Sequence, residues 1–195
     1  MSNPFPFDAE VEYLESSTSE GSTYIDTLII PTNKDDIYIG ITPTEEAATY
    51  RVWFTAQPKT GGAYYAVRKG INKDYVTLNY NSADLNFTTI KVNLTGKNNI
   101  SLLSTGEAYL NDKKYDLPSQ NSTDNSSSIK LFNRPGLDRQ IYGKMYYFRV
   151  QREGVSIIDL VPVRKDGEGF FYDKVSGKLF GNEGKGRFIT GPDVN

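Results

Sequence analysis

Aromatic and arginine side chains in the first half of the chain have the types and spacing needed to bind a sugar. Sugars are held by aromatic rings that stack on their C–H faces and by planar polar groups nearby. Alternation along the segment 50–54 places Arg51 and Trp53, the only tryptophan, on one face and the apolar residues on the other. The sequence predicts a ligand platform composed of Arg51, Trp53, Tyr64, Tyr65, Arg68 and Tyr75. The alternative is that Trp53 is a core aromatic of a small sandwich.

Paired carboxylates would support a different chemistry, the hydrolysis of a glycosidic bond. Glycoside hydrolases use two acids that face one cleft, one as general acid and one as nucleophile or base. The nearest match is Glu10-Val-Glu12-Tyr-Leu-Glu15, on the first predicted strand. We interpret this motif as a solvated strand face, so the sequence predicts no catalytic residue and a protein that is not an enzyme.

The composition excludes several kinds of site. The chain contains neither cysteine nor histidine, which rules out thiol nucleophiles, disulfides, zinc fingers and histidine-based triads. Oxygen ligands for calcium occur at Asp166-Gly-Glu168 and in the loop Asp112–Asp116, but neither has the spacing of a calcium loop. The sequence therefore predicts no metal and no cofactor, with calcium as the weaker alternative.

The first nine residues are predicted to form an extended arm. Pro4 and Pro6 lack amide donors and favour an extended chain. Phe5 and Phe7 would be exposed rings unless something covered them, so we predict that they dock on a neighbouring subunit. The alternative is that both rings fold back on their own sandwich.

The rest of the chain, residues 10–195, is predicted to be a single all-β domain with almost no helix. Apolar and polar residues alternate between turns rich in Gly, Asn and Asp, which is typical of strands with one buried face. The spacing of the strands favours a two-sheet antiparallel sandwich. The candidate strands are Val11–Leu14, Tyr24–Ile30, Asp36–Ile41, Tyr50–Ala56, Ala63–Arg68, Tyr75–Tyr80, Thr88–Leu94, Asn99–Leu103, Glu107–Leu110, Lys113–Leu117, Ser128–Phe132, Gln140–Gln151, Val155–Val163 and Gly169–Tyr172.

One long strand allows a prediction of the core. Period-2 alternation buries one set of side chains and places the other set on the opposite face. The predicted buried set is Tyr146, Phe148, Val150, Ile158 and Leu160. The predicted opposite set is Met145, Tyr147 and Arg149.

Charge and hydropathy limit the partners. The net charge is −2, and the basic residues are scattered, so no basic stripe indicates nucleic acid or an anionic membrane. No apolar run is long enough to predict a transmembrane helix. The first residues have neither the basic nor the apolar region of a secretory signal, so we expect synthesis in a host cytoplasm.

Both ends of the chain resemble a known family. The motifs near the start are YLESS and STYIDTLIIPT, and the motifs near the end include VPVRKDG and YDKVSGKLFGN. They resemble the concanavalin A-like, LamG-type jelly-roll domains that are abundant in gut bacteria of the Bacteroides group and in their bacteriophages. Leu28 stands where the family usually has glycine.

The resemblance implies a jelly-roll sandwich that works by surface contact. Members of the family are lectin-like adhesion modules or virion proteins. We therefore predict a non-enzymatic bacteriophage virion surface protein of the capsid decoration or head-fibre type, which binds other virion subunits, is oligomeric in the assembly and has a lectin-like capacity for carbohydrate binding. The alternative is a carbohydrate-binding lectin on the cell surface of a gut bacterium, and the weaker alternative is a glycoside hydrolase or lyase.

Overall fold

The structure is a computed structural model that describes residues 5–43, 51–58, 63–69, 74–82, 88–118, 125–134 and 139–194. Apart from one 3-10 turn at Thr18–Glu20, its regular elements are strands. In chain order they are β1 (Ala9–Glu10), β2 (Leu14–Ser16), β3 (Ile25–Asp26), β4 (Asp35–Pro43), β5 (Arg51–Ala56), β6 (Tyr64–Lys69), β7 (Tyr75–Ser82), β8 (Thr88–Lys91), β9 (Asn98–Leu102), β10 (Glu107–Leu110), β11 (Lys113–Asp116), β12 (Lys130–Leu131), β13 (Gly143–Arg152), β14 (Val155–Lys165), β15 (Glu168–Asp173), β16 (Leu179–Phe180) and β17 (Ile189–Thr190).

The strands form two sheets. The larger sheet has the order β11-β10-β9-β4-β13-β14-β15-β16, with β1 against β14 and β2 between β13 and β17. The smaller sheet has the order β3-β12-β5-β6-β7-β8. The strand pairs in both sheets are antiparallel. The predicted all-β, two-sheet antiparallel jelly roll is confirmed.

The dipeptides Glu153-Gly154 and Asp166-Gly167 predict tight turns, and both join neighbouring strands of the larger sheet. Glu153 and Gly154 have φ values of 51° and 81° between β13 and β14. Asp166 and Gly167 have φ values of 51° and 78° between β14 and β15. Two successive left-handed residues match the right-handed twist of the flanking strands, so both pairs form hairpins.

The segments YIDT and FITG bracket the chain and predict that its two ends pair. The ends do meet in the larger sheet, but through β2 and β17, because YIDT contains β3 of the smaller sheet. Ile189 of β17 lies opposite Glu15 of β2, and Val11 forms an isolated bridge with Asp193. The predicted strand 24–30 is shorter than expected, because Leu28 adopts the left-handed region at φ 61° and donates its N–H to Asp26 Oδ1. This backbone conformation explains why the resembling family has glycine at the position of Leu28.

The core prediction is correct at four positions and wrong at the start of β13. Phe148, Val150, Ile158 and Leu160 are buried between the sheets. Tyr146 was expected inside and Met145 outside, but Met145 is fully buried and Tyr146 is only partly buried. The cause is a register shift between Met145 and Tyr147 against β4, which adds one residue and reverses the alternation. No helix in the described part of the chain is long and apolar enough to cross a membrane.

Truncating Phe148 should cause a large loss of stability. The ring is 0% exposed and meets Phe54 of the opposite sheet edge-on, with 5.6 Å between ring centroids. We expect Phe148→Ala to lower the free energy of unfolding by about 3–5 kcal/mol, measured by urea denaturation. The control is Val155→Ala at a 67% exposed position, which should change it by less than about 0.5 kcal/mol. Equal effects of the two variants would contradict the burial of this strand.

Candidate functional site

The outer face of the smaller sheet carries polar side chains. Val67 and Leu78 belong to the core, so their neighbours along β6 and β7 lie on the opposite face. Thr77 lies on that face directly opposite Arg68. The Thr77 side chain is 4% exposed, and among the described residues its hydroxyl has no hydrogen-bond partner.

A small cavity opens on this face. It has a volume of about 100 Å³, and we call it the arginine cavity. Its described lining residues are Val52, Tyr64, Arg68, Arg134 and Arg139. The guanidinium carbon of Arg68 lies 5.5 Å from the centroid of the Tyr64 ring, so the ring holds this cation by its face.

The segment that carries two of the arginines leaves the sheet at Phe132. Lys130 and Leu131 pair with β5, and the Phe132 N–H donates to Trp53 O at 2.8 Å. Phe132 then adopts φ 66°, a left-handed conformation that a bulky residue rarely tolerates. Its fully buried ring packs against three aromatic rings at centroid distances of 4.8–6.5 Å, those of Trp53, Phe171 and Phe188. Such strain persists only where the surrounding packing enforces it, and it is common at binding sites.

Backbone hydrogen bonds fix the return of the same segment. The Val52 N–H donates to Arg139 O at 3.0 Å, and the Arg139 N–H donates to Asn133 Oδ1 at 3.1 Å. The next residue, Gln140, is buried, and its amide bonds to Ser16 Oγ at 2.8 Å and to the Thr23 N–H at 3.1 Å. Arg139 is therefore held beside Val52 by contacts on both sides of the chain.

The three arginines that line the cavity influence one another's electrostatics. Burial lowers the pKa of Arg134, and the neighbouring Arg139 and Arg68 lower it further. Tyr64 acts in the opposite direction and raises this pKa. An arginine with a lowered pKa is still protonated at neutral pH. Three of the five described lining residues of the cavity are therefore charged arginines.

The structure separates the six residues of the predicted ligand platform. Tyr64 and Arg68 meet in the arginine cavity. Trp53 and Tyr65 are 0% and 1% exposed and belong to the core, so their assignment to the platform is corrected. Arg51 and Tyr75 do not line the cavity. The guanidinium of Arg51 lies 5.3 Å from the Tyr142 ring, and Tyr75 pairs with Lys91 towards the edge of the smaller sheet.

A β-bulge explains why the alternation failed at Trp53. The register between β5 and β6 shifts between Val52 and Phe54, and Trp53 is the extra residue. Trp53 and Phe54 therefore both enter the core, while Val52 reaches the arginine cavity on the other face. Tyr50 lies outside the described residues.

Sequence reasoning missed Arg134 and Arg139. They are distant in sequence from Arg68, and only the pairing of β12 with β5 brings them to the same face. The available signal was the placement of two arginines on either side of a Pro-Gly pair in RPGLDR, shortly after a predicted strand.

The acidic motif near the N-terminus does not form one strand. Strand β1 ends at Glu10 and β2 begins at Leu14, with the exposed Glu12 between them. Its carboxylates therefore lack the continuous strand that would aim them at one cleft. Among the described residues, no group of three or more acidic side chains could hold a metal ion.

A second aromatic group lies outside the core on the larger sheet, and we call it the tyrosine–lysine patch. It consists of Tyr13, Tyr146, Tyr147, Lys97 and Lys144. The Lys97 ammonium lies 5.0 Å from the centroids of two of the rings, and Lys144 lies 4.1 Å from the third. A hydrogen bond with Tyr13 raises the pKa of Lys144. Because lysines already cover these rings, the patch is less suited than an open ring to stack on a sugar.

The arm folds back on its own sandwich at Phe7. This ring is 6% exposed, stacks on Phe5 at 5.2 Å and meets Tyr172 at 5.0 Å. The prediction that Phe7 docks on a partner is therefore corrected, because its apolar surface is already covered. Phe5 is 55% exposed, so its docking role stays a prediction. Pro4 lies outside the described residues.

No protein-family model and no curated protein sequence matches the chain. Several solved structures are similar to it, and two of them are described here. A "putative carbohydrate binding protein" from Bacteroides ovatus has a TM-score of 0.63 and 14% identity, and the match covers 95% of this chain and 61% of that one. A heptameric SAP-like pentraxin from Limulus polyphemus has a TM-score of 0.48 and 8% identity, over 73% of this chain and 75% of that one. The Bacteroides structure supports the jelly-roll fold of this chain, while the LamG-type and bacteriophage assignments stay predictions.

The single tryptophan provides a direct test of the core assignment. Because Trp53 is fully buried, we expect a blue-shifted emission and weak acrylamide quenching in the folded protein. Unfolding in urea should shift the emission to the red and restore quenching. Strong quenching of the folded protein would return Trp53 to the surface and contradict this structure.

Proposed function

We propose that this protein binds glycans without catalysing their cleavage, and that the arginine cavity is the binding site. The observation that carries the proposal is the meeting of Tyr64 with Arg68, Arg134 and Arg139 in one cavity. The fold shared with the Bacteroides protein, whose name attributes carbohydrate binding to it, supports the proposal.

The chemistry of the cavity suits recognition of sugar oxygens. Each guanidinium offers several N–H donors in a fixed plane, which can bond to pairs of neighbouring oxygens. Tyr64 is only 5% exposed, so its main contribution is to orient Arg68 rather than to offer an open ring. The cavity is small beside the ~300–1,000 Å³ of pockets that enclose a drug-sized ligand. We therefore expect it to hold one part of a sugar while the remainder lies on the surface.

The acidic residues support a role in binding rather than in hydrolysis. The described residues that line the arginine cavity include no carboxylate. The one motif with suitable acidic spacing is interrupted between β1 and β2. General acid catalysis of glycoside cleavage requires two carboxyl groups at the scissile bond, and neither location supplies them.

The setting that we propose is the surface of a bacteriophage particle, and the alternative is the cell surface of a gut bacterium. The motifs VPVRKDG and YDKVSGKLFGN, which carry the resemblance to the jelly-roll family, support this setting. The exposed Phe5 offers one apolar contact for a capsid or fibre subunit. Mass spectrometry of purified particles and of the bacterial envelope distinguishes the two. Enrichment with capsid proteins supports the particle, whereas enrichment in the envelope alone contradicts it.

Removal of Arg68 should weaken glycan binding. We expect Arg68→Ala to weaken binding on a glycan array by about tenfold or more, because each bond to a charged donor contributes about 1.5–3 kcal/mol. The matched control is Arg187→Ala, since Arg187 is an exposed arginine paired with Glu20 away from the cavity lining. This control should bind as the unmodified protein does.

A third variant tests the competing surface. Tyr146→Ala removes one ring of the tyrosine–lysine patch and should leave binding unchanged. Loss of binding in Tyr146→Ala with full binding in Arg68→Ala would move the site to the larger sheet. Release of reducing sugar that disappears in Glu12→Gln would overturn the non-enzymatic assignment.

A further inference from the structure

We propose that a second copy of this chain binds at one edge of the sandwich, in a wedge between the last strands of the two sheets. In the resulting two-fold dimer, Leu28 of each copy fills the wedge of the other. The proposal goes beyond the proposed function, because the described lining of this wedge shares no residue with the arginine cavity. It also assigns a surface to the oligomerisation that the sequence predicts.

The wedge begins where the edges of the two sheets meet. Strand β3 is the last described strand of the smaller sheet, and β16 is the last strand on its side of the larger sheet. Just beyond β16, the Glu183 N–H donates to Tyr24 O at 2.9 Å, and the Tyr24 N–H donates to Asn182 Oδ1 at 2.9 Å. From this junction the lining follows both segments, as far as Leu28 on one side and Lys178 on the other.

The wedge has room for an apolar side chain. Its volume is about 340 Å³, and Leu179 and Phe180 contribute apolar surface to its described lining. Both residues are only partly buried, although Phe180 packs against the core. Among the described strands, β3 and β16 each have one edge without a neighbouring strand. Proteins usually cover such edges, and an apolar contact inserted here would cover the edges together with the apolar lining.

Leu28 lines the wedge and is the most exposed large apolar side chain among the described residues. It is 70% exposed, and its backbone lies at φ 61°. Ile30 is 48% exposed as well, while Ile29 between them packs against the core. A leucine is unfavourable in the left-handed region, which glycine adopts readily. The chain thus presents a strained, exposed apolar side chain at an apolar wedge, and such strain is common at binding surfaces.

A second copy of the chain complements both features at once. The exposed Leu28 and the wedge lie on the same surface, so a two-fold axis beside them places each Leu28 against the wedge of the partner. The exposed Lys178 and Glu183 have opposite charges and stand at the two ends of one lining segment. The same axis can bring Lys178 beside the partner's Glu183 and repeats this pair by symmetry. The surface is therefore complementary to itself, as a two-fold interface requires.

Sedimentation equilibrium of the full chain over a series of concentrations tests the proposal. We expect a monomer–dimer equilibrium in the unmodified protein. Leu28→Gly should weaken dimerisation by about tenfold or more, because the contact of a buried leucine is lost. Leu28→Met keeps an apolar side chain at the same strained position and should retain the dimer. The control is Val194→Ala, which shortens a side chain that is 56% exposed elsewhere and should leave dimerisation unchanged.

The glycine variant separates a role in the interface from a role in folding. Glycine adopts φ 61° without the strain that a leucine has there. At concentrations where both proteins are monomeric, Leu28→Gly should therefore keep or raise the melting temperature of the unmodified protein. Loss of the dimer with the monomer intact is the result that the proposal requires.

Charge-exchange variants test the two-fold arrangement. Lys178→Glu and Glu183→Lys should each weaken the dimer, because each brings like charges together across the interface. The variant that carries both substitutions should recover the dimer, because the pair between the two copies is restored with its signs reversed. Circular dichroism establishes that each variant is folded.

Four results would overturn the proposal. A protein that stays monomeric throughout the series leaves the wedge to a different partner. A dimer that is unchanged in Leu28→Gly forms through another surface. A dimer that is lost in Phe5→Ala but kept in Leu28→Gly forms through the exposed Phe5. A double charge variant that dimerises as weakly as the single ones contradicts the two-fold pairing. The glycan array tests the proposed function separately, so either proposal can fail without the other.

Discussion

The packing of Phe132 between the two sheets is the interaction on which the candidate site depends. A left-handed backbone costs a non-glycine residue about 1–2 kcal/mol. Deleting a buried aromatic ring costs about 3–5 kcal/mol, so the contacts with Trp53, Phe171 and Phe188 outweigh the strain. The reversed φ of Phe132 turns the chain out of the smaller sheet, and Arg134 and Arg139 follow in the segment it begins. The Phe132 ring thus fills the core and also fixes the point at which the arginine-bearing segment leaves the sheet.

Two β-bulges adapt the sheets to their large aromatic residues. The bulge at Trp53 in β5 brings two consecutive aromatic rings into the core and leaves Val52 at the cavity. The opposite sheet makes room with Gly143, where an added Cβ would lie 2.4 Å from Trp53 Cη2. The bulge near Met145 in β13 sends two tyrosines outward into the tyrosine–lysine patch. Each β-bulge therefore determines both which side chains enter the core and which side chains reach the outer face.

Arginine has two different roles in this fold. Arg152 forms two hydrogen bonds with the fully buried Asp35, at 2.7 Å and 2.9 Å, and a third with Ile30 O. Tyr80 of the smaller sheet donates its hydroxyl to Asp35 O, so Asp35 also links the two sheets. A buried charge needs such partners, and here the chain supplies them. Arg152 therefore belongs to the framework of the fold, whereas Arg68, Arg134 and Arg139 line the arginine cavity.

The sequence by itself determined the all-β class, the hairpin turns, the meeting of the chain ends and most of the buried positions in β13 and β14. These features follow from the alternation of apolar and polar residues and from the Glu-Gly and Asp-Gly turn signals. Both kinds of signal act within a few residues, so they can be read from the sequence. It also identified Tyr64 and Arg68, but grouped them with Trp53 and Tyr65, which the core contains. Only the tertiary structure decided the site, because a single bulge reverses alternation without a signal in composition. The pairing of β12 with β5 then brings Arg134 and Arg139 close to Arg68, although they are distant in the chain. Long-range strand pairing of this kind has no local signal in the sequence.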